Sequence, residues 1–399
     1  MAMASAGTIS INQVVRASVA FLSAAILLLI GPVSASCESY TYQDLHPPGW
    51  RSSAALCVND SGQVAGYGMT GDGERGFLRS SGTFQEILPP GADSARANWV
   101  NGRGDVAGTA YWNGVPHAFL LRGGAYLDPT PDWAYSEGIY VGEDGSVTGT
   151  GEFGAYISRG GETEILPGFS SVAGGNSSGQ LIGRSGDSAL LFLPGQGYLS
   201  VTPPGATAST PTGINESGHI AVVALKTGME RGYVKSGEFY IDMTPSGWSS
   251  SQATAINDLM AVAGYGNSPA GRRSFLRSGG ATEEISFPGW GSTEAVSLNN
   301  AGQVAGSGTT AGGETHAFLA APASPSGSGS PGTSGSPGAA GGCSLALRGG
   351  SPPPIGSQAT SVALLLLPLL LLRIRRERTT GSAPKKPLLS VSVGMPPAR

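Results

Sequence analysis

The sequence is short of charge. Asp, Glu, Lys and Arg make up 13% of 399 residues, about half the usual share near 25%, and 19 of the 23 cations are Arg. That excludes a coiled coil and a charge-swollen disordered chain. No Lys/Arg-rich run occurs in the central region, so nucleic acid is not an expected partner, because phosphate binding needs a basic stripe. Three Cys cannot build a disulfide scaffold. Histidine is scarce too: His46, His117, His219 and His316 lie far apart, without His-x-x-x-His, Cys-x-x-Cys or Gly-x-Ser-x-Gly. No metal site, no cofactor and no catalytic triad is therefore expected. Carboxylates beside glycine, Asp72-Gly73-Glu74 and Glu143-Asp144-Gly145, lack the spacing of a calcium loop.

Glycine and proline are abundant. The 64 Gly and 28 Pro form about 23% of the chain, near twice the ordinary ~12%, so long helices are not expected. Charge is unevenly placed: residues 37–320 carry 14 Lys/Arg against 26 Asp/Glu, whereas residues 343–399 carry eight cations and one anion. The acidic middle disfavours polyanions and anionic headgroups and favours solubility, cations or basic partners.

The two ends read as addresses. Residues 1–35 have one cation, Arg16, an apolar run from Val19 to Ile30, and Val33-Ser34-Ala35 before a cleavage point, the pattern of a secretory signal peptide. Cys37 raises a lipoprotein alternative, but Ser34 stands where that signal wants a large aliphatic residue, so cleavage before Ser36 is expected. Residues 321–342 are all Ala, Gly, Ser, Pro or Thr, a flexible linker spanning about 26 Å. Beyond it come Gly341-Gly342-Cys343, an apolar segment at 355–372 interrupted by Pro368, and the cluster Arg373, Arg375, Arg376 and Arg378. As an apolar helix those 18 residues reach about 27 Å, just short of a ~30 Å hydrocarbon core. The flanking Arg favour insertion with the basic end cytoplasmic. Residues 379–399 form a basic tail.

The Gly-Gly-Cys, apolar, Arg-cluster order resembles the tripartite C-terminal sorting signals of the MYXO-CTERM and JDVT-CTERM type. The resemblance implies cleavage near Cys343 by a membrane protease and retention at the cell surface; a plain membrane anchor is the other reading. The sequence departs from the pattern in its long spacing after Cys343 and in the tail behind the Arg cluster.

The middle repeats. Asn, then Gly three residues on, then an aliphatic two further, recurs as Asn59/Gly62/Val64, Asn101/Gly104/Val106, Asn176/Gly179/Leu181, Asn215/Gly218/Ile220 and Asn299/Gly302/Val304, with degenerate copies at Gly142 and Asn257. The starts are 42, 41, 34, 39, 42 and 42 residues apart, a structural period. Each period reads as four short strands broken by turn residues. Asn can close an Asx turn and Gly can take positive φ, so both are expected to be structural. The second strand carries a Val-Ala-Gly run whose small side chains would let neighbouring sheets approach. The third carries an aromatic: Phe77, Phe119, Tyr156, Phe192, Tyr233, Phe275 or Phe318.

The last copy runs into the linker one strand short, and Tyr40-Thr41-Tyr42-Gln43-Asp44-Leu45 has the character of the missing strand. The expected fold is thus an all-β, seven-bladed β-propeller over residues 36–320, closed by an N-terminal strand. With the Asn-x-x-Gly-x-Val-Ala-Gly run, His117-Ala118-Phe119 and His316-Ala317-Phe318 resemble the HAF family of extracellular repeats across residues 40–320. The resemblance implies an extracellular β-repeat protein and brings no catalytic residues. Arg or Gly replaces these His in other copies, so a strand-end hydrogen bond is expected for them.

Loops after the fourth strands carry Trp50, Trp133, Phe169, Trp248 and Trp290 beside Pro and Gly. Such a ring of aromatics is either a platform for an extracellular glycan or protein ligand or inter-blade packing. Cys37 and Cys57 are candidates for a disulfide, leaving Cys343 for sorting. The function expected is a non-catalytic binding or display module. The alternative is an extracellular polysaccharide-acting enzyme working from the propeller funnel, which would need converging carboxylates or His. The residues four before each turn, Ala55, Ala97, Gly138, Val172, Pro211, Ala253 and Ala295, are small or apolar and argue against it.

Overall fold

A computed structural model describes residues 40–323. The expected signal peptide, Cys37, most of the expected linker, Cys343, the segment 355–372 and the residues expected to form a basic tail lie outside the described residues. Strand β1 (Tyr40–Asp44) comes first. Blade 1 is β2 (Ser52–Val58), β3 (Val64–Thr70), β4 (Gly73–Ser80) and β5 (Thr83–Ile87); blade 2 is β6 (Ser94–Val100), β7 (Val106–Trp112), β8 (Val115–Arg122) and β9 (Ala125–Leu127). Blade 3 is β10 (Ser136–Val141), β11 (Val147–Gly151), β12 (Gly154–Arg159) and β13 (Glu162–Ile165). Blade 4 is β14 (Ser171–Gly175), β15 (Leu181–Ser185), β16 (Ser188–Leu193) and β17 (Gly197–Ser200). Blade 5 is β18 (Ala208–Ile214), β19 (Ile220–Lys226), β20 (Met229–Ser236) and β21 (Phe239–Asp242); blade 6 is β22 (Ser250–Ile256), β23 (Val262–Ser268), β24 (Gly271–Ser278) and β25 (Ala281–Ile285). The chain then gives β26 (Ser292–Leu298), β27 (Val304–Thr309) and β28 (Thr315–Pro322).

Six blades are antiparallel meanders of consecutive strands; the seventh is β26-β27-β28 with β1 on its outer edge. The register runs from Tyr40 opposite Pro322 to Asp44 opposite Phe318, and β2 packs against β27 and β28. The molecule is therefore a seven-bladed β-propeller completed by its N-terminal strand, which removes an open sheet edge. Pairing with β1 carries β28 through Ala321 and Pro322, so the linker starts two residues later than composition suggests. Among the described residues, no helix is long and apolar enough to cross a membrane.

Small residues in the second strands do two different things. Ala65, Ala263 and Ala305 are fully buried between blades, which gives the close approach expected. Gly66 instead receives the ring of its own blade: it pairs with Phe77, and a Cβ there would sit 2.7 Å from that ring. Gly108 with Phe119 and Gly264 with Phe275 repeat the arrangement, a cross-strand glycine covered by an aromatic. In blade 4 the residue opposite Gly183 is Leu190, not Phe192, which pairs two residues further along with Leu181.

Each inner strand has a β-bulge at one place, between Ala55 and Cys57 in blade 1 and at the equivalent step in the other six. The extra residue shifts the in–out alternation. Ala55, Ala97, Ala253 and Ala295 are consequently buried between blades, and the wall of the central cavity passes to Ala173, Thr212, Thr254 and Val296. The expectation that the residues four before the turn face the funnel is corrected accordingly.

The repeated Asn closes its own turn, as expected, and also reaches the next blade. Its Oδ1 accepts the amide of the residue four ahead, as in Gln63 N to Asn59 Oδ1 at 2.9 Å and His219 N to Asn215 Oδ1 at 2.9 Å. Its Nδ2 donates to the carbonyl of the equivalent residue one blade on: Asn59 to Asn101, Asn101 to Gly142, Asn176 to Asn215, Asn215 to Asn257, Asn257 to Asn299 and Asn299 to Asn59, all at 2.7–3.1 Å. These amides are buried. A second tier comes from bulge residues: Asn98 donates to Gly138 O, Thr212 to Ala253 O and Thr254 to Ala295 O, at 2.6–2.8 Å.

The seam between blades 3 and 4 has neither bond, because Gly142 lacks a side chain and Ile139 is apolar. A cavity of about 90 Å³ lies there, lined by Tyr140, Gly142 and Asn176 among others. On β11 of the same blade, Thr148 Oγ1 is buried without a hydrogen-bond partner.

A buried hydrogen bond contributes about 1 kcal/mol net, and stranding a buried partner costs about 1–3 kcal/mol. Asn215→Ala removes both the turn closure and the blade clamp, and is expected to cost about 2–3 kcal/mol, read as a lower urea midpoint with the fold retained. The degenerate turn at Asn257 has Met260 at φ 62° where other copies have Gly. Left-handed backbone costs a non-Gly residue about 1–2 kcal/mol, partly offset by the greater unfolded-state freedom of Gly. Met260→Gly is therefore expected to stabilise the fold by up to about 1 kcal/mol, read as a higher urea midpoint.

Candidate functional site

Because each blade is an antiparallel meander, the loops joining one blade to the next share a face with the turns between second and third strands. The Asn turns share the opposite face. The five loop aromatics all enter at the first face, and they are packed. Trp50, Trp133, Trp248 and Trp290 are half-buried and Phe169 is buried. Each meets a ring of its own blade edge-on: Trp50 on Phe77 at 6.0 Å, Trp133 on Tyr156 at 5.0 Å, Trp248 on Phe275 at 5.7 Å, Trp290 on Phe318 at 6.2 Å, and Phe169 on Tyr198 at 5.0 Å. Trp50, Trp248 and Trp290 also close over apolar clusters shared between two blades. Packing thus accounts for the recurrence of these rings.

Each ring needs a glycine beneath it. A Cβ on Gly68 would lie 2.6 Å from Trp50, on Gly151 2.8 Å from Trp133, on Gly183 2.8 Å from Phe169 and on Gly308 2.7 Å from Trp290, separations that real side chains do not tolerate. Blade 6 has Trp248 and Gly266 in the same places. Blades 2 and 5 change both partners together: Ala92 faces Ala110, and Ala206 faces Ala224. In four blades the glycine is the fifth residue of the second strand, and in the shortened blade 4 it is Gly183, the third residue of β15.

The Asn-turn face holds the mouth of the central channel, a cavity of about 220 Å³. Asp60, Glu143, Glu216 and Asp258 stand around it, one after each repeat's turn residue. They hold backbone amides of neighbouring turns: Asp60 that of Asn300, Glu143 that of Gly102, Glu216 that of Ser177 and Asp258 that of Glu216, at 2.7–3.1 Å. Asn300 Nδ2 bridges Asp60 and Asp258. The rim is acidic, yet its carboxylates act as inter-blade caps. Among the described residues, no group of His, Cys, Asp and Glu is placed to hold a metal ion.

No family model matches this sequence, and no curated protein does. Solved structures share the architecture. One is a streptogramin B lyase, 16% identical over 70% of this chain and 97% of its own, with a TM-score of 0.49. A second is YCF48 bound to D1 peptide, at 13%, 72%, 98% and 0.47 in the same order. A third is the extracellular domain of a hybrid two-component system from B. thetaiotaomicron, 8% identical over 70% of this chain and 40% of its own, with a TM-score of 0.46. Their roles differ, and likeness at this level extends to the fold alone.

The histidines divide. His316 Nδ1 bonds Asp44 Oδ2 at 2.8 Å across the closing strand pair, and its ring stacks on His46 at 3.9 Å; His46 in turn reaches Ser53 Oγ and Trp50 O. His316 therefore makes the strand-end bond expected of it. His117 makes none among the described residues, and its ring stands 5.8 Å from Trp112. Of the proposed disulfide, Cys37 lies outside the described residues, while Cys57 is a buried thiol 3.6 Å from Val100 O in the seam between blades 1 and 2. Burial pushes this thiol up from 9.0 to about 12. Burial raises the Tyr140 and Tyr156 phenols too.

A raised folded-state value means that the neutral thiol is favoured by folding, with stability full below pH 9 and lost as pH climbs toward 12. Thermal midpoints of wild type and Cys57→Ala are expected to converge between pH 9 and 11, since the variant lacks this loss. Parallel decline of the two would contradict a buried, protonated Cys57.

Proposed function

We propose that this protein is an exported, surface-attached propeller that binds or displays an extracellular ligand, glycan or protein, without chemistry of its own. The observation that carries the reading is where the described chain leaves the disc. Pro322 pairs with Tyr40 at the outer edge of blade 7, and Tyr40 Oη reaches Gly302 O in the Asn turn of that blade at 3.2 Å. Both strand ends therefore lie at one rim, on the Asn-turn face. The described chain thus ends on the face opposite the one that bears the inter-blade loops. A signal peptide at 1–35 and a sorting signal or anchor at 343–378 would place the propeller outside the cell and attached to its surface. HAF-type repeats suit this extracellular setting. The bonding of the four rim carboxylates to backbone amides weighs against an enzyme working from the channel, since a general acid or base needs a free proton-transfer site.

Protease treatment of intact cells expressing the full chain is expected to release a fragment that starts at residue 36 and ends within 323–342. Mass spectrometry of the mature form is expected to show an N-terminus at Ser36. A C-terminus near Cys343 indicates sorting and an intact Arg399 indicates anchoring. A protected chain that still begins at Met1 would overturn export and display together.

A further inference from the structure

Blade 2 differs from its neighbours in three ways, and the last two meet in one cavity. Its loop has Ala92 where five other blades have a ring. Its short outer strand β9 stops at Leu127, one residue before Asp128. Its third strand carries His117 at the place where other blades have a cation bonded diagonally to the outer-strand acid. Those pairs are Arg75–Glu86 at 3.4 Å, Arg231–Asp242 at 4.0 Å, Arg273–Glu284 at 3.6 Å and His316–Asp44 at 2.8 Å. In blade 2 the equivalent His117 and Asp128 make no such pair. Both line a cavity of about 340 Å³ with Trp112, Phe119, Tyr126 and the prolines 89 and 90.

We propose that this cavity is a binding site for one or two rings of a neutral saccharide. The proposal rests on the binding reading above and names its ligand class and place. The volume falls at the small end of ligand sites, ~300–1,000 Å³, so it fits a small ligand rather than a folded partner. Trp112 is held by Nε1 donating to Pro90 O at 3.3 Å, and Tyr126 by Oη accepting the amide of Leu88 at 3.2 Å. Fixed aromatic walls offer a sugar's C–H faces contact area with little entropy lost. Asp128 Oδ1 accepts the Thr130 amide at 2.8 Å, while its other oxygen has no partner among the described residues and accepts from a hydroxyl. His117, half-buried, supplies a donor or an acceptor to the adjacent hydroxyl. The cavity opens on the loop-bearing face, opposite the Pro322 end of the described chain.

The full chain in detergent is titrated with neutral disaccharides of glucose, galactose and N-acetylglucosamine, following tryptophan fluorescence and calorimetric heat. Saturable binding to at least one is expected, weakened about tenfold or more by Trp112→Ala and by Asp128→Asn, and unchanged by Asp242→Asn in blade 5. Asp128→Asn keeps Oδ1 on the Thr130 amide, so it separates ligand loss from misfolding. If disaccharides bind the wild type and both blade 2 variants equally, the site is wrong while the binding reading stands. If none binds and tetramethylammonium binds instead in an Asp128-dependent way, the pocket is a cation cage and the saccharide assignment is overturned. Binding of neither probe at millimolar concentration overturns the site altogether.

Discussion

A buried carboxamide holds this ring together. Each Asn at the first turn of a blade has one acceptor and one amino group, and the fold uses both: the oxygen ties down its own turn and the amino group crosses to the next blade. No other side chain of that size can do both from one position, since Asp lacks the donor and Ser the reach. The bonds are individually modest, but they lie in a dry environment where a lost partner is costly. They also run in one direction around the disc, with Asn299 donating to Asn59 O, so they close the circle independently of the strand exchange at the outer rim. Closure is thus enforced twice, by amides near the axis and by β1 at the edge.

The same constraint shows where the ring is least secured. Blade 3 begins its turn with Gly142 and has Ile139 at its bulge, so its seam with blade 4 relies on apolar packing alone, through Ile157, Leu166, Phe169 and Val172. The shortened repeat there is accommodated by Gly174 and Gly175 in β14, whose small size brings the Tyr140 ring to 3.2 Å from the Cβ position of Gly175. Packing without bonds is adequate at one seam of seven because apolar burial needs no directional partner.

At the outer half of each blade a second rule operates, coupling a loop ring to a glycine on the sheet below. Five blades obey it with ring and glycine, and two with alanine at both places. The rings are therefore structural keystones, and blade 2, which omits one, has a cavity at its outer strands. That cavity is bounded by aromatic and polar groups.

Much was legible in the linear order of residues. The spacing of Asn59, Asn101, Asn176, Asn215 and Asn299 set the number of blades, and the strand-like Tyr40–Leu45 segment before the first repeat showed how the last sheet is completed, because a period and a missing strand are properties of sequence alone. Three things were not legible. The bulge that moves Ala55 from the channel wall to the seam arises from pairing between strands, which no single strand encodes. The reach of Asn Nδ2 into the next blade depends on how closely two sheets approach, a distance that packing sets. And the pocket of blade 2 is lined by Pro89 and Pro90 of a loop together with Trp112, His117 and Tyr126 of three strands, so it exists only once those segments have been brought to the same point in space.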